Sequence, residues 1–190
     1  MEFRVLGWPP DGPTLRLDYR QFAYAGKFVM TATGKAVVRE TSGTETADRE
    51  ETEFEDGVLG AVAFNEDRTD PATLWLRYVT VRSDRRGEGI GPRLLRFMSD
   101  RGLECGYDRI RIAVNNPFAY EAVHKAGFGW NGETTGIAEL VCDRPEDRKK
   151  RYGAGFRRFL DGERELSESE RSFVSEKLAA AEPPPVVSDP

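Results

Sequence analysis

Alternation of apolar and polar positions marks a chain built largely of short strands, with regular helices entering only in its second half. Glu2 to Leu6, Thr14 to Leu17 and Lys35 to Arg39 read as strands, the first two parted by the turn cluster Pro9-Pro10-Asp11-Gly12-Pro13. Between them, Tyr19 to Thr33 is rich in aromatics but follows neither period, so mixed helix and loop is expected there. Val58 to Phe64 is an apolar run, and Leu74 to Val81 alternates with bulky and β-branched residues; both predict strands. The intervening stretch Thr41 to Gly57, TSGTETADREETEFEDG, is polar and acidic and predicts a solvated loop.

The period then changes. Ile90, Leu94, Leu95 and Met98 fall on one helical face, and the helix is expected to end near Arg101 with Gly102 as its left-handed cap. Arg109 to Val114 alternates as the next strand. Asn116-Pro117 is a helix start, since asparagine caps free amides and proline at the first position loses nothing. Phe118, Ala119, Ala122, Val123 and Ala126 supply its apolar face, Glu121 and Lys125 pair one turn apart, and Gly127 stops it. Tyr120 reads as a core residue and His124 as an exposed one. Phe128 to Trp130 and Gly136 to Val141 predict closing strands. Tyr152, Phe156, Phe159 and Leu160 predict an amphipathic helix, and Ser167 with Glu170 forms a capping box for another.

Composition narrows the class. The chain has 190 residues, 38% of them hydrophobic and 32% charged, enough for one domain with a packed core and an ionic surface. A net charge of -5 and the lack of a basic face with interleaved aromatics speak against nucleic acid as a partner. The run Arg148 to Arg151 reads as a solvated helix face. Two cysteines, Cys105 and Cys142, and one histidine exclude a disulfide framework and most zinc constellations, so no metal is expected. No stretch of about 18 apolar residues occurs, so the expectation is a cytoplasmic protein without a membrane partner.

The segment VRSDRRGEGIGPRLL, from Val81 to Leu95, sets a glycine turn between a strand and a helix, an arrangement that aims backbone N–H groups at an anion. A Walker loop would need lysine and a hydroxyl residue where Pro92-Arg93 stand. A dinucleotide fingerprint would need glycine at Pro92. The pattern left is R-x-x-G-x-G, met by Arg86, Gly89 and Gly91. Taken alone, it is equally a bare surface turn.

Downstream stands NPFAYEAVHKAGF, an N-x-x-A pair followed by G-F at the helix end. Together the two signatures resemble those of the GNAT superfamily of acyl-CoA-dependent N-acetyltransferases. The match covers about a third of the chain closely, and strand order extends it loosely to Val141. The resemblance implies an α/β fold: a mixed sheet, splayed near its centre and flanked by helices, with acetyl-CoA as co-substrate in the opening. It implies that backbone groups of Val79 and Val81 meet the pantetheine arm. It also implies that the turn Arg86, Gly87, Gly89 and Gly91 holds the pyrophosphate, with Asn116 and Ala119 on the far side. Residues 1–143 would form the acyltransferase domain, 144–182 a helical extension that packs, covers the acceptor or dimerises, and 183–190 a disordered tail.

Acyl transfer to an amine needs a donor for the developing oxyanion, and an N–H near Val79 to Val81 is placed to serve. It also needs a base for the amine, with an acid for the leaving thiolate as an aid. Many family members carry that acid as a tyrosine where Val123 stands here, and Tyr120, one turn earlier, is the one substitute in sight. Glu40, Glu66 and Glu139 are carboxylates within or beside strands; none is assigned as base, and no catalytic residue is assigned. With no cysteine or serine in the matched core as acyl carrier, direct attack in a ternary complex is expected. The acceptor would be a small-molecule, peptide or lysine amine, which the acidic loop 41–57 could steer by its field. Two rival readings stand beside this one: a non-catalytic acyl-CoA-binding or regulatory module, and a nucleotide-binding domain unrelated to acyl transfer.

Overall fold

The computed structural model describes residues 1–41, 53–136, 139–162, 165–180 and 182–188. Seven strands form one mixed sheet: β1 (Glu2–Gly7), β2 (Gly34–Arg39), β3 (Val58–Glu66), β4 (Thr73–Val81), β5 (Arg109–Val114), β6 (Gly129–Thr135) and β7 (Glu139–Arg144). Their order is β1-β2-β3-β4-β5-β7-β6, antiparallel throughout except where β4 and β5 run parallel. That one parallel pair requires a crossover, and α1 (Ile90–Glu104) supplies it. Three further helices follow: α2 (Pro117–Lys125), α3 (Tyr152–Asp161) and α4 (Glu168–Ala180).

Each face of the sheet has its own core. On the helical face, Leu74 and Leu76 of β4 and Ile110, Ile112 and Val114 of β5 pack with Ile90, Leu94 and Met98 of α1. The same cluster takes in Tyr152, Phe156, Phe159 and Val174, so α3 and α4 share the core of the sheet. On the opposite face, Leu15, Leu17, Phe22 and Phe28 cover Val37, Ala61 and Ala63.

Several expectations shift for packing reasons. Thr14 to Leu17 is no strand: Leu15 N–H donates to the Phe28 carbonyl at 3.0 Å, and its leucines lie across the sheet instead of on its edge. The segment 19–33 contains one 3₁₀ turn, Ala25–Lys27, among bends. Gly102 lies inside α1, where an added Cβ would stand 2.5 Å from Ile110. The left-handed position falls to Gly106, φ 96°, and the Tyr107 N–H closes back on the Gly102 carbonyl. β6 and β7 run some residues later than their apolar runs, because ladder pairing carries polar positions into them. Of the acidic loop, 42–52 lie outside the described residues; at its end Glu55 pairs with Arg39 at 2.8 Å.

Packing of α3 and α4 widens the buried face of α2 beyond Val123 and Ala126, which are buried as expected. Tyr120, Glu121, Val123 and His124 are buried, whereas Phe118 is half exposed and leans on Phe173 of α4, ring centroids 4.7 Å apart. Glu121 accepts from the Tyr152 hydroxyl at 2.6 Å and lies 3.4 Å from Lys177, tying three helices together. The capping box of α4 is complete: Glu170 N–H donates to the Ser167 hydroxyl and Ser167 N–H to the Glu170 carboxylate. Leu160 of α3 faces out. Residues 183–188, expected as part of a disordered tail, lie against α2: Val187 N–H donates to the Lys125 carbonyl, and Arg148 bonds the Pro184 carbonyl.

Candidate functional site

β4 and β5 pair only from Thr73 with Arg109 to Leu76 with Ile112; beyond, they part. β4 continues along β3 to Val81, and β5 continues along β7 to Val114, leaving a gap between them. A bulge prepares the upper half of β4. Ala63 faces Tyr78 and Phe64 faces Leu76, so Arg77 is an extra residue without a β3 partner. One inserted residue shifts the side-chain alternation, and Val79 and Val81, in place of Tyr78 and Thr80, turn to the α1 side.

The backbone of those two valines faces the gap. The Arg82 N–H donates to the Leu59 carbonyl at 2.9 Å, and hydrogen-bonded residues alternate along an antiparallel ladder. Thr80 therefore shares the phase of Arg82, and the N–H and C=O groups of Val79 and Val81 point the other way, where β5 has left.

At the top of β4 the chain enters a 3₁₀ turn, Ser83–Arg85, and then α1. Gly87 (φ 89°) and Gly89 (φ 76°) are left-handed, a conformation costly for residues with a Cβ, and the space beside both is open. Gly89 caps α1 with no side-chain bond. Pro92 has no N–H and Arg93 N–H returns to the Gly89 carbonyl at 3.3 Å, so the amides of Gly89, Ile90 and Gly91 lack main-chain acceptors among the described residues. With the positive end of the helix dipole behind them, these donors suit an anion.

Of the three arginines in the turn, two are engaged. Arg85 lies 2.8 Å from both Glu88 and Glu40, and Arg82 lies 2.8 Å from Asp84. Glu40 thus fastens the end of β2 to the turn. The Arg85 guanidinium holds the Glu88 carboxyl below its ordinary range, with burial opposing. Arg86 is exposed and, among the described residues, has no ion-pair partner.

Across the gap, Asn116 caps α2 by accepting from the Ala119 N–H at 2.8 Å, and Ala119 is partly buried against the core. Glu66 sits at the far end of β3, opposite Leu74, and accepts from the Tyr107 hydroxyl at 2.8 Å; burial, aided by that bond, pushes this phenol up to about 12. Glu139, half-buried at the start of β7, lies beside the open end of β5.

Neither the position of the family's tyrosine, here Val123, nor its one substitute, Tyr120, offers an acid to the gap. Val123 is 1% exposed, and Tyr120 is fully buried, its hydroxyl donating to the Tyr152 carbonyl at 3.2 Å. Burial raises the Tyr120 phenol far above its usual value, which makes it a weaker acid. His124, expected to be exposed, is 0% exposed, with both ring nitrogens unpartnered among the described residues. It packs edge-on to Tyr120 and Tyr152, and burial, followed by the nearby Arg148 charge, lowers it to about 3. Its spacing on α2 placed it with Tyr120; only the presence of α3 shows that this stripe is internal.

A polar row crosses the face opposite α1 below the gap, and sequence reading missed it. Asn65 pairs with Trp75, Trp75 with Arg111 and Arg111 with Asp143, one residue from each of four adjacent strands. Arg111 forks onto Asp143 at 2.7 and 2.8 Å, and Asn131 of β6 donates to the same carboxylate at 2.9 Å. The Asp143 pair pushes Arg111 above its ordinary value. The alternation of Arg109, Arg111 and Ala113 in β5 was the available signal.

The sequence model described as the acetyltransferase (GNAT) family matches residues 16–128, well over half of the chain. Among curated proteins none matches. Solved structures similar to it include an N-acetyltransferase from Staphylococcus aureus Mu50, at 18% identity over 58% of this chain and 66% of that one, TM-score 0.45. The chain thus spans about two thirds of that relative's length. A Bacillus subtilis acetyltransferase solved in complex with CoA is similar at 15% identity over 58% of this chain and 75% of that one, TM-score 0.45. Nourseothricin acetyltransferase is similar at 15% identity over 75% of this chain and 96% of that one, TM-score 0.46.

Proposed function

The chain belongs to the acetyltransferase (GNAT) family, and from that premise we propose that it is an N-acetyltransferase using acetyl-CoA. The observation that carries this is the parting of β4 from β5 after Leu76 and Ile112, beside a turn with free amides. In this reading the pyrophosphate rests on the amides of Gly87, Gly89 and Gly91 with Arg86 adding charge, and the pantetheine runs along Val79 and Val81. Asn116 and Ala119 border the other side.

A neutral amine attacks the thioester carbonyl, whose oxygen gains charge facing an N–H of Val79 or Val81. The new C–N bond forms, the C–S bond breaks, and the amine proton passes to Glu139 directly or through water. With valine at position 123 and Tyr120 buried, the thiolate leaves without a tyrosine; thiols ionise near pKa ~8.5, which makes them fair leaving groups at neutral pH.

Calorimetric titration with acetyl-CoA, coenzyme A and ATP, combined with thiol release across an amine panel, tests this. Coenzyme A is expected to outcompete ATP, Arg86→Ala to weaken it about 10-fold, and at least one amine to release thiol. Tight binding without release from any amine would favour the non-catalytic acyl-CoA module, a reading to which the missing tyrosine lends some weight. Preference for ATP would overturn both.

A further inference from the structure

Arg77 stands at the closed end of the gap between β4 and β5, in a state the acyl-transfer reading does not use. It is the extra residue of the β4 bulge and the first residue beyond the last β4–β5 pair, so it sits at the apex of the gap, two residues before Val79. Its guanidinium lies over the Trp75 indole, Cζ 4.5 Å from the ring centroid, and its Nε donates to Asn65 Oδ1 at 2.6 Å.

Stacking and that single bond hold the group in place but occupy only one of its five N–H donors. Among the described residues, no carboxylate lies within ion-pair distance of Arg77 and no acceptor meets its terminal nitrogens. The neighbour in the same row differs: Arg111 forks onto the Asp143 carboxylate, which answers its charge. Asp67 is also committed elsewhere, to the Thr69 amide and hydroxyl and to the Trp75 indole N–H. An arginine ordered in advance, with its fork free, is matched to a planar or tetrahedral oxyanion.

We propose that Arg77 grips an oxyanion, carboxylate or phosphate, on the acceptor, so that the enzyme acylates amines bearing such a group within a few bonds of the nitrogen. This rests on the acyl-transfer reading and adds the acceptor class to it. Two residues of strand span about 6–7 Å, so an anion held at Arg77 leaves the amine beside the backbone of Val79.

The test compares matched pairs, α-amino acids with their carboxamides and aminoalkyl phosphates with the parent amino alcohols, by kcat/KM for thiol release. Wild type is expected to favour the anionic member by about 10- to 100-fold. The better of the carboxylate and phosphate series identifies the natural oxyanion. Arg77→Gln is expected to level each pair while leaving coenzyme A affinity unchanged, Arg77→Lys to keep part of the preference, and Arg101→Gln, on the outer side of α1, to keep all of it.

The same compounds titrated into the coenzyme A complex give a readout without turnover. Acylation of charged and neutral members alike, in wild type and Arg77→Gln, would overturn the role of Arg77 and leave acyl transfer standing. Absence of all turnover with anion binding that Arg77→Gln abolishes would support the site and sink the chemistry; no such binding would sink both.

Discussion

α1 and α2 flank the same gap but begin in opposite ways. α1 starts at a left-handed glycine with no side-chain cap, in the open, with donors left over. α2 starts at Asn116, whose side chain takes the Ala119 amide, and its body is sealed beneath α3 and α4. A helix start that satisfies itself serves the fold; one that leaves amides free and fills its approach with glycine has room for an anion. On the proposed reading the two signature motifs therefore do different work, although both come from strand-to-helix turns.

The largest expected effect falls on the open start. Gly89→Val forces a β-branched residue into φ 76° and fills the space before the amides; coenzyme A affinity, read by calorimetry, is expected to fall by about 100-fold with the fold retained. Unchanged affinity would erase the distinction between the two helices.

Next comes the seal over α2. His124 is held neutral, at about 3 against an ordinary value of 6.5, so the unfolded chain binds the extra proton between those values. Its penalty is absent above pH 6.5 and grows as pH falls toward 3, costing up to about 1.4 kcal/mol per pH unit. Urea denaturation from pH 7 to 4.5 should show this slope, and His124→Phe should flatten it. An identical slope in the variant would mean that the imidazole reaches water.

The smallest effect separates cap from ligand contact. Asn116→Ala is expected to cost about 1 kcal/mol in denaturant unfolding and to change coenzyme A affinity less than threefold. Intact stability with lost affinity would recast Asn116 as a cofactor residue.

Much of this was legible in the residues. Asn116-Pro117, Gly127, Ser167 with Glu170 and the alternation of Arg109 to Val114 each act within a few residues of themselves, and each element formed. Residues whose role depended on a distant neighbour were misread. Gly102 looked like a cap because nothing local reveals Ile110 above it. His124 looked exposed because α3 lies more than twenty residues away.

The amino-acid sequence by itself determined the turn that frees the amides, the helix starts and the family to which the chain belongs, because glycine dihedrals, caps and periodicity are short-range physics. Tertiary structure alone decided that Arg77 is the extra residue of the β4 bulge, that the bulge turns Val79 and Val81 to the α1 side, and that Arg77 has no ion-pair partner among the described residues. Each of these depends on which strand ends beside which, and on where a bulge falls in the ladder. Those are long-range pairings that no local window contains.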